Sequence, residues 1–159
     1  MATITKGPNP AHNVGATPWG NTQTLRYTLT TNASGAVEGS NSSAAVGIGD
    51  KVRIGVIPAG MSLLDFAMVI SDAFTASSTA KLGFEYVDGE DVTAVPQDDD
   101  YFVAASTSLA STAVMRKSTT TAPVVLPKPA WLILTNAGAA QAAVGRLDVL
   151  LTLGAEGIA

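Results

Sequence analysis

Residues 50–60 read D-K-V-R-I-G-V-I-P-A-G. Val52, Ile54 and Val56 fall on one side of an extended chain, and Lys51 and Arg53 on the other. Successive side chains of a strand point to opposite faces, so this run predicts a strand with one dry face and one wet face, closed by the Pro58-Ala59-Gly60 turn. The same period recurs on both sides of it. Thr22–Thr31 sets Leu25, Tyr27 and Leu29 against Thr24, Arg26, Thr28 and Thr30. Residues 77–87 set Ala80, Leu82, Phe84 and Tyr86 against Lys81 and Glu85, and end at the tight-turn pair Asp88-Gly89. Residues 130–136 carry W-L-I-L-T, which predicts a buried strand. Residues 145–153 set Leu147, Val149, Leu151 and Leu153 against Arg146 and Asp148. Shorter strands are expected at 111–118 and 124–126.

The stretch 62–71 differs from these. Its two alternating sets, Leu64/Phe66/Met68/Ile70 and Leu63/Ala67/Val69, are both apolar. A strand apolar on both faces is covered on both. Leu63, Ala67 and Val69 therefore become candidate subunit-contact residues, and a homo-oligomer, dimer or trimer, is expected. One helix is expected in the chain, over 97–109, where Asp98-Asp99-Asp100 stands as an acidic first turn before Tyr101, Phe102 and Ala105. Several strands with turn signals between them and no β-α-β rhythm predict an all-β fold, a jelly-roll-like β-sandwich with one short helix. The sandwich is expected over 22–159. Residues 1–21, punctuated by Gly7, Pro8, Pro10, Gly15, Pro18 and Gly20, have no period and predict an extended N-terminal arm. Ile4, Val14 and Trp19 are apolar groups on that arm for which a solvated tail has no use, so they are candidate partner-binding residues.

Composition narrows the function. The chain has 159 residues, enough for one domain whose core needs neither disulfide nor metal. It has no cysteine, which removes thiolate chemistry. No leader-like apolar segment opens the sequence and no apolar run approaches the ~20 residues of a membrane-spanning helix, so no membrane partner is expected. Net charge is −4 and charged residues are 14% of the chain. Arg116-Lys117 is the longest basic run, so nucleic acid is not an expected partner.

Chemical sites are sparse. His12 is the single histidine and sits in the Gly/Pro-rich arm, away from any fixed partner. No G-x-S-x-G elbow accompanies the serines, and Gly47-Ile48-Gly49 lacks the G-K-[ST] of a phosphate loop. Asp98-Asp99-Asp100 offers oxygen ligands for a hard cation but lacks the spacing of an EF-hand, and helix capping is the expected role. Asp88-Gly89-Glu90-Asp91 lies where a solvated turn is expected. Trp19 and Trp131 are candidates for sugar stacking, with Trp131 expected in the core. Neither enzyme activity nor a cofactor is expected.

The segment 50–74, with K-L-G-F-E-Y-V-D-G (81–89), V-P-Q-D-D-D-Y-F (95–102), A-P-V-V-L-P-K-P-A-W-L-I-L-T (122–135) and G-R-L-D-V (145–149), resembles small virion structural proteins of tailed bacteriophages over about residues 48–150. The resemblance implies a capsid decoration, or cement, protein: β-rich, oligomeric and without catalytic residues. Such proteins bind the major capsid protein at subunit junctions on the outer capsid surface of the virion, after synthesis in the host cytoplasm. A tail or head-fibre component and a carbohydrate-binding β-sandwich module are the alternatives.

Overall fold

The structure, a computed structural model, describes residues 1–7 and 21–155. It is all-β, with no helix among the described residues. Nine strands form two sheets: β1 (Thr3–Thr5), β2 (Thr22–Thr31), β3 (Lys51–Ile57), β4 (Met61–Asp72), β5 (Thr79–Tyr86), β6 (Asp98–Ser108), β7 (Ala113–Arg116), β8 (Ala130–Ala137) and β9 (Gly145–Ala155). The five-stranded sheet runs β1-β3-β8-β5-β6 and the four-stranded sheet β2-β9-β4-β7. Every pairing is antiparallel except β1 with β3.

The alternation in the sequence is what the two sheets bury, except in β3, where a register shift between Arg53 and Gly55 turns Val56 outward, 41% exposed, and buries Ile57 in its place. Leu25, Tyr27 and Leu29 of β2, Phe66, Met68 and Ile70 of β4, and Leu147, Val149, Leu151 and Leu153 of β9 form one core with Val52, Ile54, Leu82, Phe84, Leu132 and Leu134 of the opposite sheet. Each large apolar side chain buried this way contributes about 1.5–3 kcal/mol. Phe66 and Phe102 stack across the sandwich with centroids 5.0 Å apart, and Tyr101 meets both Phe102 and Phe84 edge-on at 4.9 and 5.4 Å. Tyr27 ties the sheets together by donating its hydroxyl to the Val56 carbonyl at 2.8 Å. Burial raises the pKa of that hydroxyl, which keeps it protonated as a donor.

Three expectations change. The helix expected over 97–109 is strand β6, so the aspartates open a strand instead of capping a helix. Tyr101, Phe102 and Val103 are all buried, an apolar run that suits a strand covered on both faces. β6 folds over β5 with its register broken: Leu82 faces Val103 while Phe84 faces Asp98. A Cβ on Gly83 would lie 2.0 Å from the Asp98 carbonyl oxygen, so only glycine lets the irregular strand approach. The short strand expected at 124–126 is a loop held to β4 by Leu63 N–H to the Val124 carbonyl and Leu126 N–H to the Met61 carbonyl. Finally, residues 3–5 of the expected arm are a strand of the sandwich. Val14, Trp19 and His12 lie outside the described residues.

The two ends of the sandwich differ. Loops 32–50, 73–78 and 138–144 meet at one end around buried Asn136 and Gln141. Gln141 donates to Asn136 Oδ1 at 2.8 Å, and Asn136 donates to the carbonyls of Gly47 and Ala139. At the other end Asn21, Ala155 and Met61 lie side by side, next to residues 124–126.

Candidate functional site

The outward faces of the two sheets carry different chemistry. On the five-stranded sheet, Glu85 accepts from Arg53 Nε at 2.8 Å and Lys51 Nζ at 3.1 Å, over the buried Ile133 of β8. Burial pushes the Glu85 carboxyl up, but the hydrogen bonds from Arg53 and Lys51 outweigh it and hold the group below its ordinary value. Lys81 pairs with Asp99 at 2.6 Å. Trp131 is half-buried on this outer face, with the Arg53 guanidinium 5.4 Å from its ring centroid. It is therefore outside the core where it was expected, but its ring is already occupied by a cation.

Asp98, Asp99 and Asp100 bring one carboxylate oxygen each within 4.8 Å of one another, the one such three-carboxylate group among the described residues. A side-chain hydrogen bond with Asp98 raises the Asp100 pKa, with burial and the neighbouring negative charges acting the same way. Asp88 accepts from the Glu90 N–H at 3.0 Å and from Lys128 at 2.7 Å, the bonding of a solvated turn.

The four-stranded sheet presents an apolar centre with its charges at the rim. Its centre comes from β4, whose phase is set by a bulge. Leu63 pairs with Leu153, but Asp65 pairs with Thr152, so one residue is skipped in the register. Leu63 and Phe66 consequently both point inward, whereas Leu64, Ala67 and Val69 point out. A strict period of two placed Leu63 with Ala67 and Val69; the bulge separates them. Leu63 is 2% exposed and belongs to the core. Leu64, 45% exposed, takes its place on the surface.

Across β4, Ala67 lies between Leu150 of β9 and Arg116 of β7, and Val69 lies between Asp148 and Val114. Val114 is 73% exposed. The result is an apolar patch of Leu64, Ala67, Val69, Val114 and Leu150, rimmed by charges of both signs. Arg116 pairs with Asp65 on one side. On the other, Asp148 accepts from Thr28 at 2.5 Å and Arg146 at 3.2 Å, with Arg26 at 3.9 Å. Burial raises the Asp148 carboxyl, but the Thr28 and Arg146 hydrogen bonds bring it below its ordinary value. Beyond Asp148, β2 contributes Thr24, Thr28 and Thr30. Such an apolar centre with a mixed polar rim is the anatomy of a protein-binding face.

Ile4 occupies a different place from the other candidate residues. It is 2% exposed, sunk in the core beneath β1, so it holds its own strand in the sandwich and presents nothing to a partner from the surface.

No family model and no curated protein matches this sequence. The fold is shared with solved structures. A chain in the capsid of Ralstonia phage GP4 superposes with a TM-score of 0.64 at 14% identity, covering 99% of this chain and 100% of that one. A chain in the capsid asymmetric unit of cyanophage Pam1 superposes with a TM-score of 0.57 at 16% identity, covering 93% of this chain and 91% of that one. This chain therefore has, over nearly its full length, the fold of chains found in bacteriophage capsids.

Proposed function

We propose that this protein is a non-enzymatic virion structural protein, a decoration or cement protein that binds the outer surface of a phage capsid. The observation that carries the reading is the coextensive match to a chain of the GP4 phage capsid, 99% of one chain on 100% of the other. The strand arrangement supports a jelly roll. Apart from β1, the eight antiparallel strands divide into β2-β9-β4-β7 and β3-β8-β5-β6, the interleaving that two Greek keys produce. The acidic balance suits the outside of a shell better than a DNA-facing lining, which gains from Lys and Arg.

The contact is assigned to the outer face of the four-stranded sheet, centred on Val69 and Val114. Each copy covers modest area, and repetition over the lattice turns weak contacts into a firm hold. Sugar binding has less support, because Arg53 already sits over Trp131. The test is to add purified protein to capsids assembled without it and sediment them. Saturable binding at a fixed ratio to the major capsid protein is the expected result. Absence of binding, with the protein recovered instead from tails, overturns the decoration reading in favour of a tail component.

A further inference from the structure

We propose that β1 is an exchangeable strand: in the oligomer, the slot beside β3 is filled by residues 2–7 of a second copy of this chain. This goes beyond capsid binding and does not depend on it. β1 is three residues long, makes the one parallel pairing described, and pairs with β3 alone. It sinks a single side chain, Ile4, into the core. The rest of its hold is polar and lies on the rim. Thr5 N–H donates to Asn41 Oδ1 at 3.0 Å, and Asn41 N–H donates to the Thr5 carbonyl at 3.1 Å. Ala2 N–H donates to Asp50, Gly7 N–H donates to the Gly39 carbonyl at 2.9 Å, and Lys6 Nζ reaches across the sandwich edge to the Thr28 carbonyl. Such contacts can be unmade and remade without exposing more than one apolar group.

The slot itself must stay filled. Without β1, the edge of β3 offers unpaired N–H and C=O groups beside an apolar hole, a ready template for another strand. An identical strand from a neighbour fits it as well as the chain's own, which is why exchange of an element between copies is a low-cost route to oligomers. The connection permits it. Gly7 lies by Gly39, near the end of β2, whereas Asn21 lies by Ala155 at its start. Gly7 and Asn21 therefore stand about the length of β2 apart, roughly 30 Å. The full reach of residues 8–20, roughly 45 Å, is enough to deliver β1 to an adjoining molecule. Once two copies are held side by side, a neighbour's strand is present at an effective concentration comparable to that of the chain's own.

The absence of cysteine gives a clean test. The pair Thr5→Cys with Asn41→Cys joins residues held by two hydrogen bonds, Thr5 N–H to Asn41 Oδ1 and Asn41 N–H to the Thr5 carbonyl, so oxidation links β1 to whichever molecule holds it. Oxidised full-length protein at high concentration should run on a non-reducing denaturing gel as covalent dimers or trimers, collapsing to monomer on reduction. Thr5→Cys alone should give no such ladder. Complete oxidation with only internally closed monomer, over a wide range of concentration, overturns the proposal. If that pair fails to fold or to oxidise, Thr3→Cys with Lys51→Cys, partners in the β1–β3 register, gives the same two readouts. Capsid binding, measured separately, can hold whichever way this test falls.

Discussion

Gly83 sits where β6 doubles over β5, and its missing side chain is what admits the Asp98 carbonyl. Gly83→Ala places a carbon against backbone that cannot swing aside. Overpacking of this kind costs about 1–3 kcal/mol, which urea denaturation should report as a lower midpoint with an unchanged slope. Glu85 works through charge instead. Its folded-state carboxyl binds a proton less readily than the unfolded one, so its contribution is present above its ordinary value of 4.5 and is lost as pH falls through the lower folded value. Glu85→Gln should lower stability near neutral pH by about 1 kcal/mol. It should also flatten the fall in stability on the acid side, as followed by urea titrations at neutral and acidic pH. An equally steep acid limb in the variant would assign that sensitivity elsewhere, to Asp148 first.

At the scale of the element, what was legible in the sequence was whatever local periodicity encodes. β2 runs over the residues that its alternation marks, and β8 and β9 extend the marked runs by a residue or two; β3 has the marked bounds, but its register shift against β8 reverses the faces of Val56 and Ile57. The misses have physical causes. β6 carries acids and then aromatics, which a helix start and a doubly covered strand share, and only the packing of Tyr101, Phe102 and Val103 decides between them. The bulge at Leu64 is set by pairing with β9, a partner more than eighty residues away, so Ala67 and Val69 face outward while Leu63 lies in the core and Leu64 on the surface. β1 is too short to show a period and is defined by β3. Ile4→Ala tests its weight in the fold. Removing that one buried group should cost about 2–4 kcal/mol, a large share of what such a domain has, and thermal unfolding should show it. A variant that melts like the parent would mean that β1 merely rests on the sandwich.

On the scale of the whole molecule, the two outer faces divide the labour. On the five-stranded face Lys51 and Arg53 pair with Glu85 and Lys81 pairs with Asp99, whereas the four-stranded face leaves Leu64, Val69 and Val114 partly uncovered. Val114→Lys, at an exposed strand position, should change stability by no more than about 0.5 kcal/mol while weakening attachment to capsids severalfold, measured by co-sedimentation. The same change on the opposite face, Val56→Lys, should leave attachment intact. The central claim is that this chain is a building block of the outer capsid. A reconstruction of purified virions tests it most directly. The account predicts density for the sandwich at repeated, symmetry-related positions outside the shell, with the β2-β9-β4-β7 sheet turned toward the major capsid protein. Virions whose shell carries no such density, or that hold the protein only at the tail or inside the head, would contradict it.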